Sequence, residues 1–245
     1  TTPVGMICAF IAAMIVCSLL SLLIERCAYR PLRNAPRLNS LITAIAVELI
    51  LQNTMRVLPF VGPDPRQFPT MPTKIFTLVT ANYPNGIVSV SNIQLIVIIS
   101  SAILMVILNY IINYTKTGRS MRAVSYDMGA ASLMGVSVNK TIAITFVIGS
   151  VLAGAGGVLY ATAYPQIDPV MGYIPGLKAF VAAVLGGIGS VPGAMVGGVI
   201  LGISETMTKA YISSQYADAI SYCILIVILL VKPAGLLGKK QVVKV

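Results

Sequence analysis

The sequence contains no histidine and is poor in charge: only 10% of its 245 residues are Asp, Glu, Lys or Arg. Without histidine, Ser-His-Asp and Cys-His nucleophilic catalysis and every His-ligated metal site are excluded. A soluble domain carries about 25% charged residues, so a water-facing surface of this size is excluded too. Cysteine is also scarce. Cys8, Cys17, Cys27 and Cys223 form no CxxC pair, and three of them sit in or beside apolar runs. They read as small apolar packing residues rather than ligands or a disulfide framework. No phosphate-binding loop is present, because Gly235-Leu-Leu-Gly-Lys-Lys lacks the spacing and the hydroxyl. A GxSxG elbow is missing as well. Any energy source must therefore come from a partner.

What is there in abundance is apolar. Hydrophobic residues make up 57% of the chain and the mean hydropathy is +0.89. Several uncharged runs reach or approach the roughly 20 residues needed to cross a bilayer. The fold class expected is an all-α integral membrane protein, a polytopic bundle forming a single domain over residues 1–245. Segments are expected at about Val4–Ile24, Ser40–Leu58, Ser91–Ile112, Thr141–Ala163 and Ile212–Val231. Between the second and third lies a polar stretch, 59–90, with six prolines and a Pro84-Asn85-Gly86 turn signal. That proline density forbids a spanning helix. The stretch is either a connector or a contact surface for an external protein. Its length favours contact.

Net charge is +10. Twelve of the seventeen basic residues fall in the linkers 25–39 and 113–140 and the tail from Lys232, accompanied by Glu25 and Asp127 alone among the acids. The positive-inside rule places these segments, and the C-terminus, in the cytoplasm. The excess charge is thus a topology signal and not a nucleic-acid patch. This topology also constrains residues 177–204, which must begin and end outside. Gly186, Gly187, Gly189, Pro192 and Gly193 interrupt the stretch. Two half-helices, about Lys178–Leu185 and Val191–Ser204, are expected as a re-entrant pair. Irregular backbone at that depth must be packed in protein or line a cavity.

Four features are candidates for function. Gly149/Ala153/Gly157, Gly193/Gly197 and Gly198/Gly202 have small-xxx-small spacing, which serves tight helix packing or a gated pathway. Glu48 lies in the middle of an apolar segment with Gln52 one turn on. A carboxylate there needs a partner. It either ties helices together or lines a pathway as a proton-sensitive group. In the linker 113–140, Ser120 is expected to cap a short helix starting at Met121. Asp127 is expected to cap Met128–Met134, and Gly135 suits the left-handed end. This basic amphipathic element is either an anchor or a docking element. The Pro-rich loop is the fourth.

Several stretches resemble a known family. Gly118-Arg-Ser-Met-Arg-Ala-Val-Ser-Tyr-Asp-Met-Gly-Ala-Ala-Ser-Leu-Met-Gly135, continued by Thr145-Phe-Val-Ile-Gly-Ser-Val-Leu-Ala-Gly154, is similar to the coupling segment of branched-chain amino acid ABC-transporter permeases. The broken stretch Leu177–Gly198 resembles the same family's helix break. Glu25-Arg-Cys-Ala-Tyr-Arg-Pro-Leu-Arg33 and Leu51-Gln-Asn53 resemble its H-type subunit. The resemblance implies an importer of leucine, isoleucine and valine in the bacterial inner membrane. It implies a second, M-type permease, two cytoplasmic ATPases that hold ATP and Mg, and a periplasmic or lipid-anchored binding protein. The permease itself would hold no cofactor. Gly118, Arg119, Arg122, Asp127, Ala130, Leu133 and Gly135 would form the coupling element. Gly186, Gly187, Gly189, Pro192 and Gly193 would form the break near the pathway. Urea, amides or other amino acids are alternative cargoes for the same architecture. An ion-coupled transporter or channel would need more intramembrane charges than Glu48. The family's N-terminal stretch, ending in an Asn-Phe-Ala-His-Gly motif, is not in this sequence, so an incomplete permease is expected. Glu48 stands where the family has a small or hydroxyl residue, and the resemblance assigns it no role.

Overall fold

Backbone in hydrocarbon must satisfy its own hydrogen bonds, so the apolar runs fold as helices. The computed structural model describes residues 3–32, 37–59, 62–69, 75–80, 87–232 and 234–238. Helix α1, Pro3–Ile24, continues as a π-helical turn, Glu25–Tyr29. Next come α2, Arg37–Val57, and three strands: β1, Arg66–Gln67; β2, Ile75–Thr80; β3, Ile87–Ser91. Helices α3 (Asn92–Tyr114), α4 (Lys116–Tyr126), α5 (Met128–Leu133) and α6 (Val138–Ala163) follow. After β4, Gln166–Ile167, the chain ends in α7 (Tyr173–Gly186), α8 (Val191–Tyr211) and α9 (Ala217–Val231).

Among the described residues, five stretches are long and apolar enough to span a membrane: Gly5–Tyr29, Asn92–Tyr114, Val138–Ala163, Val191–Tyr211 and Ser214–Val231. Helix α2 has the length, 21 residues, but Glu48, Gln52, Asn53 and Arg56 leave it less apolar. The architecture is an all-α membrane fold.

Two compact units divide the chain. One comprises Thr1–Leu104 and Tyr110–Val170; the other comprises Met105–Asn109 and Met171–Val245. In the first, α1 lies along α6. Gly154 makes the closest approach: a Cβ there would sit 2.9 Å from the Ala13 carbonyl oxygen and 3.2 Å from Cys17 Sγ. The expected stripe Gly149/Ala153/Gly157 is therefore displaced. Gly149 and Gly157 face open space, while Gly154, Ala155 and Val158 are buried. Spacing alone could not choose between overlapping small residues, because α6 is rich in them on more than one face.

The Pro-rich stretch is not wholly irregular. Strands β2 and β3 pair antiparallel, with a bulge between Thr77 and Val79. Their β-branched residues favour the extended state, and the prolines lie outside both strands. The Pro84-Asn85-Gly86 turn lies outside the described residues. A shorter pairing, β1 with β4, ties this stretch to the segment after α6. Ser91 then closes the hairpin and caps α3 in a capping box with Gln94.

In the second unit, α7 and α8 form an antiparallel hairpin around Val181, Ala182, Leu185 and Leu201, with Tyr222, Leu225 and Ile228 of α9 packed against them. Helix α7 has 14 residues, about 21 Å at 1.5 Å per residue. Its partner α8 has 21. The first arm thus starts earlier than Lys178, and the second runs past Ser204. The final segment is not continuous from Ile212 either. Ser213 caps a 3₁₀ turn, Ser214–Tyr216, and α9 starts afresh at Ala217.

Candidate functional site

The linker 113–140 holds a pair of capped helices, α4 and α5. Thr115, not Ser120, is the first cap: its Oγ1 accepts from Gly118 N–H at 3.1 Å. Ser120 sits inside α4 and donates back to the Lys116 carbonyl at 3.1 Å. The earlier start arises because Thr115 is extended and the chain from Lys116 on is free to turn at once. Asp127 is the hinge between α4 and α5. Its N–H closes α4 onto the Ala123 carbonyl, and its Oδ1 accepts from Ala130 N–H at 3.0 Å. Helix α5 stops at Leu133, one residue short of the expected end. Gly135 has φ +80°, and the Gly135 and Val136 N–H groups bond to the Ser132 and Ala131 carbonyls, both at 3.0 Å. This is a Schellman stop, which satisfies carbonyls that a helix end otherwise leaves open.

Two residues tie the pair to α3. Gly118 is buried with its Cα hard against the carbonyls of Ile111 and Ile112, where no side chain fits. Arg122 Nη1 donates to Asn113 Oδ1 at 3.0 Å, and Nη2 to the Asn113 carbonyl at 3.5 Å. Arg122 therefore braces the segment, while Arg119 points to solvent. Buried Val124 and Ala131 seat the pair inward. On the other side the tip exposes Tyr126 (85%), Leu133 (89%) and Met134 (83%). Leu133 stood among the expected residues; Tyr126 and Met134 did not. Both stand at the end of a helix, Tyr126 as the last residue of α4 and Met134 as the C-cap of α5, where little of the fold lies beside them.

The helix break is built from backbone. Gly187 (φ +108°) and Gly189 (φ +93°) take torsions that side chains avoid. Ser190 Oγ accepts from Gly193 N–H at 3.1 Å to start α8, and Pro192 lies in its first turn. Gly186 and Gly193 touch through their backbones, and Gly197 lies against the Ala182 carbonyl. Gly193/Gly197 is thus a true contact stripe, while Gly202 faces open space. The turn is then covered by the segment after α9. Leu236 and Leu237 N–H donate to the Leu185 and Gly186 carbonyls, each at 2.9 Å. Gly187 packs against Gly235 and Gly238. So Gly235-Leu-Leu-Gly, no phosphate loop, closes the end of α7.

At the other end of this unit, Lys178 of α7 bridges Glu205 of α8 (2.9 Å) and Asp218 of α9 (2.8 Å), and Lys209 joins Glu205 at 2.6 Å. The sequence shows these charges but not their convergence, which needs the hairpin. On α2, Gln52 Nε2 donates to Glu48 Oε1 at 3.0 Å, the one-turn pairing the spacing allows. Both side chains are half-buried.

Residues 2–229 match the family described as branched-chain amino acid transport system / permease component. LivH of Escherichia coli (strain K12), a high-affinity branched-chain amino acid transport system permease protein, is 42% identical over 236 residues, 96% of this chain and 75% of LivH. BraD of Pseudomonas aeruginosa, of the same description, is 40% identical over 247 residues, 100% of this chain and 78% of BraD. The ribose import permease protein RbsC of E. coli (strain K12) is 27% identical over 129 residues, 50% of this chain and 40% of RbsC. No solved structure is detectably similar. These relatives are transport permeases, not enzymes. With nearly its whole length matched, this chain belongs to the branched-chain amino acid transport system permease family.

Proposed function

We propose that the chain is the H-type permease subunit of an ATP-driven importer of leucine, isoleucine and valine. The observation that carries the coupling role is the braced tip. An apolar surface at Tyr126, Leu133 and Met134 is held outward by capped helices. Exposed apolar side chains on a rigid element fit a groove on a soluble partner, here the cytoplasmic ATPase. ATP and Mg are held by that partner. A second, M-type permease completes the pathway, and an external binding protein delivers the amino acid.

Orientation in the inner membrane rests on charge and on one juxtaposition. The basic linkers and tail favour the cytoplasm. The α7–α8 turn packs against the segment that follows α9, so turn and tail share one end of their unit. In this reading α7 and α8 form a re-entrant pair whose turn lies at the cytoplasmic end. The glycines Gly186, Gly187, Gly189 and Gly193, with Pro192, border the pathway there. Glu48 and Gln52 give α2 a hydrogen-bonded polar spot facing the pathway or the second permease.

Uptake of labelled leucine by vesicles holding the complete complex tests this reading, with isoleucine, valine, urea and ribose as competitors. Competition by isoleucine and valine alone is expected. The coupling role is tested by Arg122→Ala with Asp127→Ala. ATP hydrolysis should continue while uptake is lost, with the permease still in the membrane. Normal uptake by that variant overturns the docking role.

A further inference from the structure

We propose that the pocket between the end of α1 and the start of α6 binds the phosphodiester headgroup of an anionic phospholipid. The cavity measures about 340 Å³, within the range of small-molecule sites. Arg26 enters it from the π-helical turn and Arg30 from the residue that ends that turn, and Asn139 and Lys140 enter from the first turn of α6. The turn is widened by an i→i+5 hydrogen bond, Arg30 N–H to the Glu25 carbonyl at 2.8 Å. Bulges of this kind recur at functional sites.

The charge of the lining suits an acidic headgroup. Three cations face the cavity against one carboxylate, Glu25. Glu25 is only 4% exposed and is partnered within the protein, whereas Arg26, Arg30 and Lys140 are exposed. Three cations less one carboxylate leave a net charge of two. Arginine offers a planar fork to phosphate oxygens, and the N-terminal end of α6 adds its own partial positive charge.

The apolar wall decides between a lipid and a free anion. Leu22 and Ala143 line the same cavity. Leu19 and Leu23 stand about 60% exposed along α1, a helix long and apolar enough to span the membrane. An acyl chain would lie on that surface while its headgroup enters the basic pocket. Basic pockets between membrane helices bind acidic headgroups in this way. A soluble phosphate has no use for the leucines. The occupant would also brace the coupling segment, since α6 begins directly after the Gly135 stop.

The test is native mass spectrometry of the full-length permease, purified with its partners and loaded with phosphatidylglycerol, phosphatidylcholine or glycerol 3-phosphate. Phosphatidylglycerol adducts should persist, and phosphatidylcholine adducts should not. Arg26→Gln/Arg30→Gln/Lys140→Gln should weaken phosphatidylglycerol retention roughly tenfold, as expected for lost hydrogen bonds to a charged group. Equal retention by variant and wild type overturns the site. Displacement of the lipid by equimolar glycerol 3-phosphate overturns the lipid assignment in favour of a soluble phosphate ester. Should the triple variant fail to assemble, the wild-type protein decides. A phosphatidylglycerol carrying a headgroup photo-crosslinker should label peptides spanning residues 22–30 and 139–143. Labelling confined to other segments, or a pocket crosslinked to a partner subunit, overturns it.

Discussion

Two reversals in this chain end a helix on a left-handed glycine and put it to opposite use. At Gly135 (φ +80°) nothing lies within 4 Å of the place a Cβ would take. At Gly187 (φ +108°) that place is filled by the backbone of Ala234 and Gly238. The first glycine is required by torsion alone. The second is required by torsion and by volume. Around Gly135 the chain displays apolar side chains; around Gly187 it removes side chains so that backbones can bond. What distinguishes a display turn from a packing turn is therefore what surrounds the glycine, not its own conformation.

The largest expected effect tests that distinction directly. Gly187→Ala must hold a positive-φ torsion that side chains avoid, at a cost of about 1–3 kcal/mol. It must also push Gly238 and Ala234 away, which adds overpacking of about 1–3 kcal/mol. Gly135→Ala should lose only the torsional part. Melting of the detergent-solubilised complex, followed by scanning fluorimetry, should fall much further for Gly187→Ala. Equal shifts for the two variants would dissolve the contrast between the turns.

A functional variant sharpens the same contrast from the display side. Leu133→Ser with Met134→Ser removes exposed apolar surface and no internal packing. Leucine uptake should fall roughly tenfold, the size of a modest interface hot spot. Melting should stay unchanged. A drop in melting with normal uptake would mean that the tip serves the fold and not a partner. Asp127→Ala is intermediate. It removes the cap on Ala130 N–H and should cost about 1 kcal/mol. Uptake should fall with it, and Asp127→Asn should restore both, because asparagine caps equally well.

How much of this was legible beforehand differs between the two regions for a physical reason. Short-range chemistry reads well from sequence. The Asp127 cap, the Gly135 stop, the Gln52–Glu48 pair and the break at Gly186–Gly193 all depend on residues within one or two turns. Thr115 and Ser120 both offer a hydroxyl near the start of α4, so sequence does not separate them and only the backbone chooses. Long-range convergence does not read. Nothing in Gly235-Leu-Leu-Gly announces that it bonds to Leu185 and Gly186, 51 residues earlier. Likewise Gly154 could be told from Gly149 and Gly157 only by where α1 lies. The β2–β3 pair was hidden by surrounding prolines, which dominate composition without entering the strands.

The smallest predicted effect concerns the far end of the α7–α8 hairpin. One end is closed by backbone bonds at Gly187, the other by Lys178 with Glu205 and Asp218. These closures should differ greatly in strength. Ion pairs that keep contact with solvent contribute about 0.2–1 kcal/mol, and salt screens them. Lys178 is partly exposed and Asp218 more so. After Lys178→Gln, Glu205 keeps Lys209 as a partner, so no buried charge is orphaned. The variant should therefore lower melting by an amount near the bottom of that range. The difference from wild type should shrink further in molar salt. A loss as large as that of Gly187→Ala, persisting in salt, would move the hairpin's stability from its glycine turn to its charged end. The division between a display turn and a packing turn would then lose its second half.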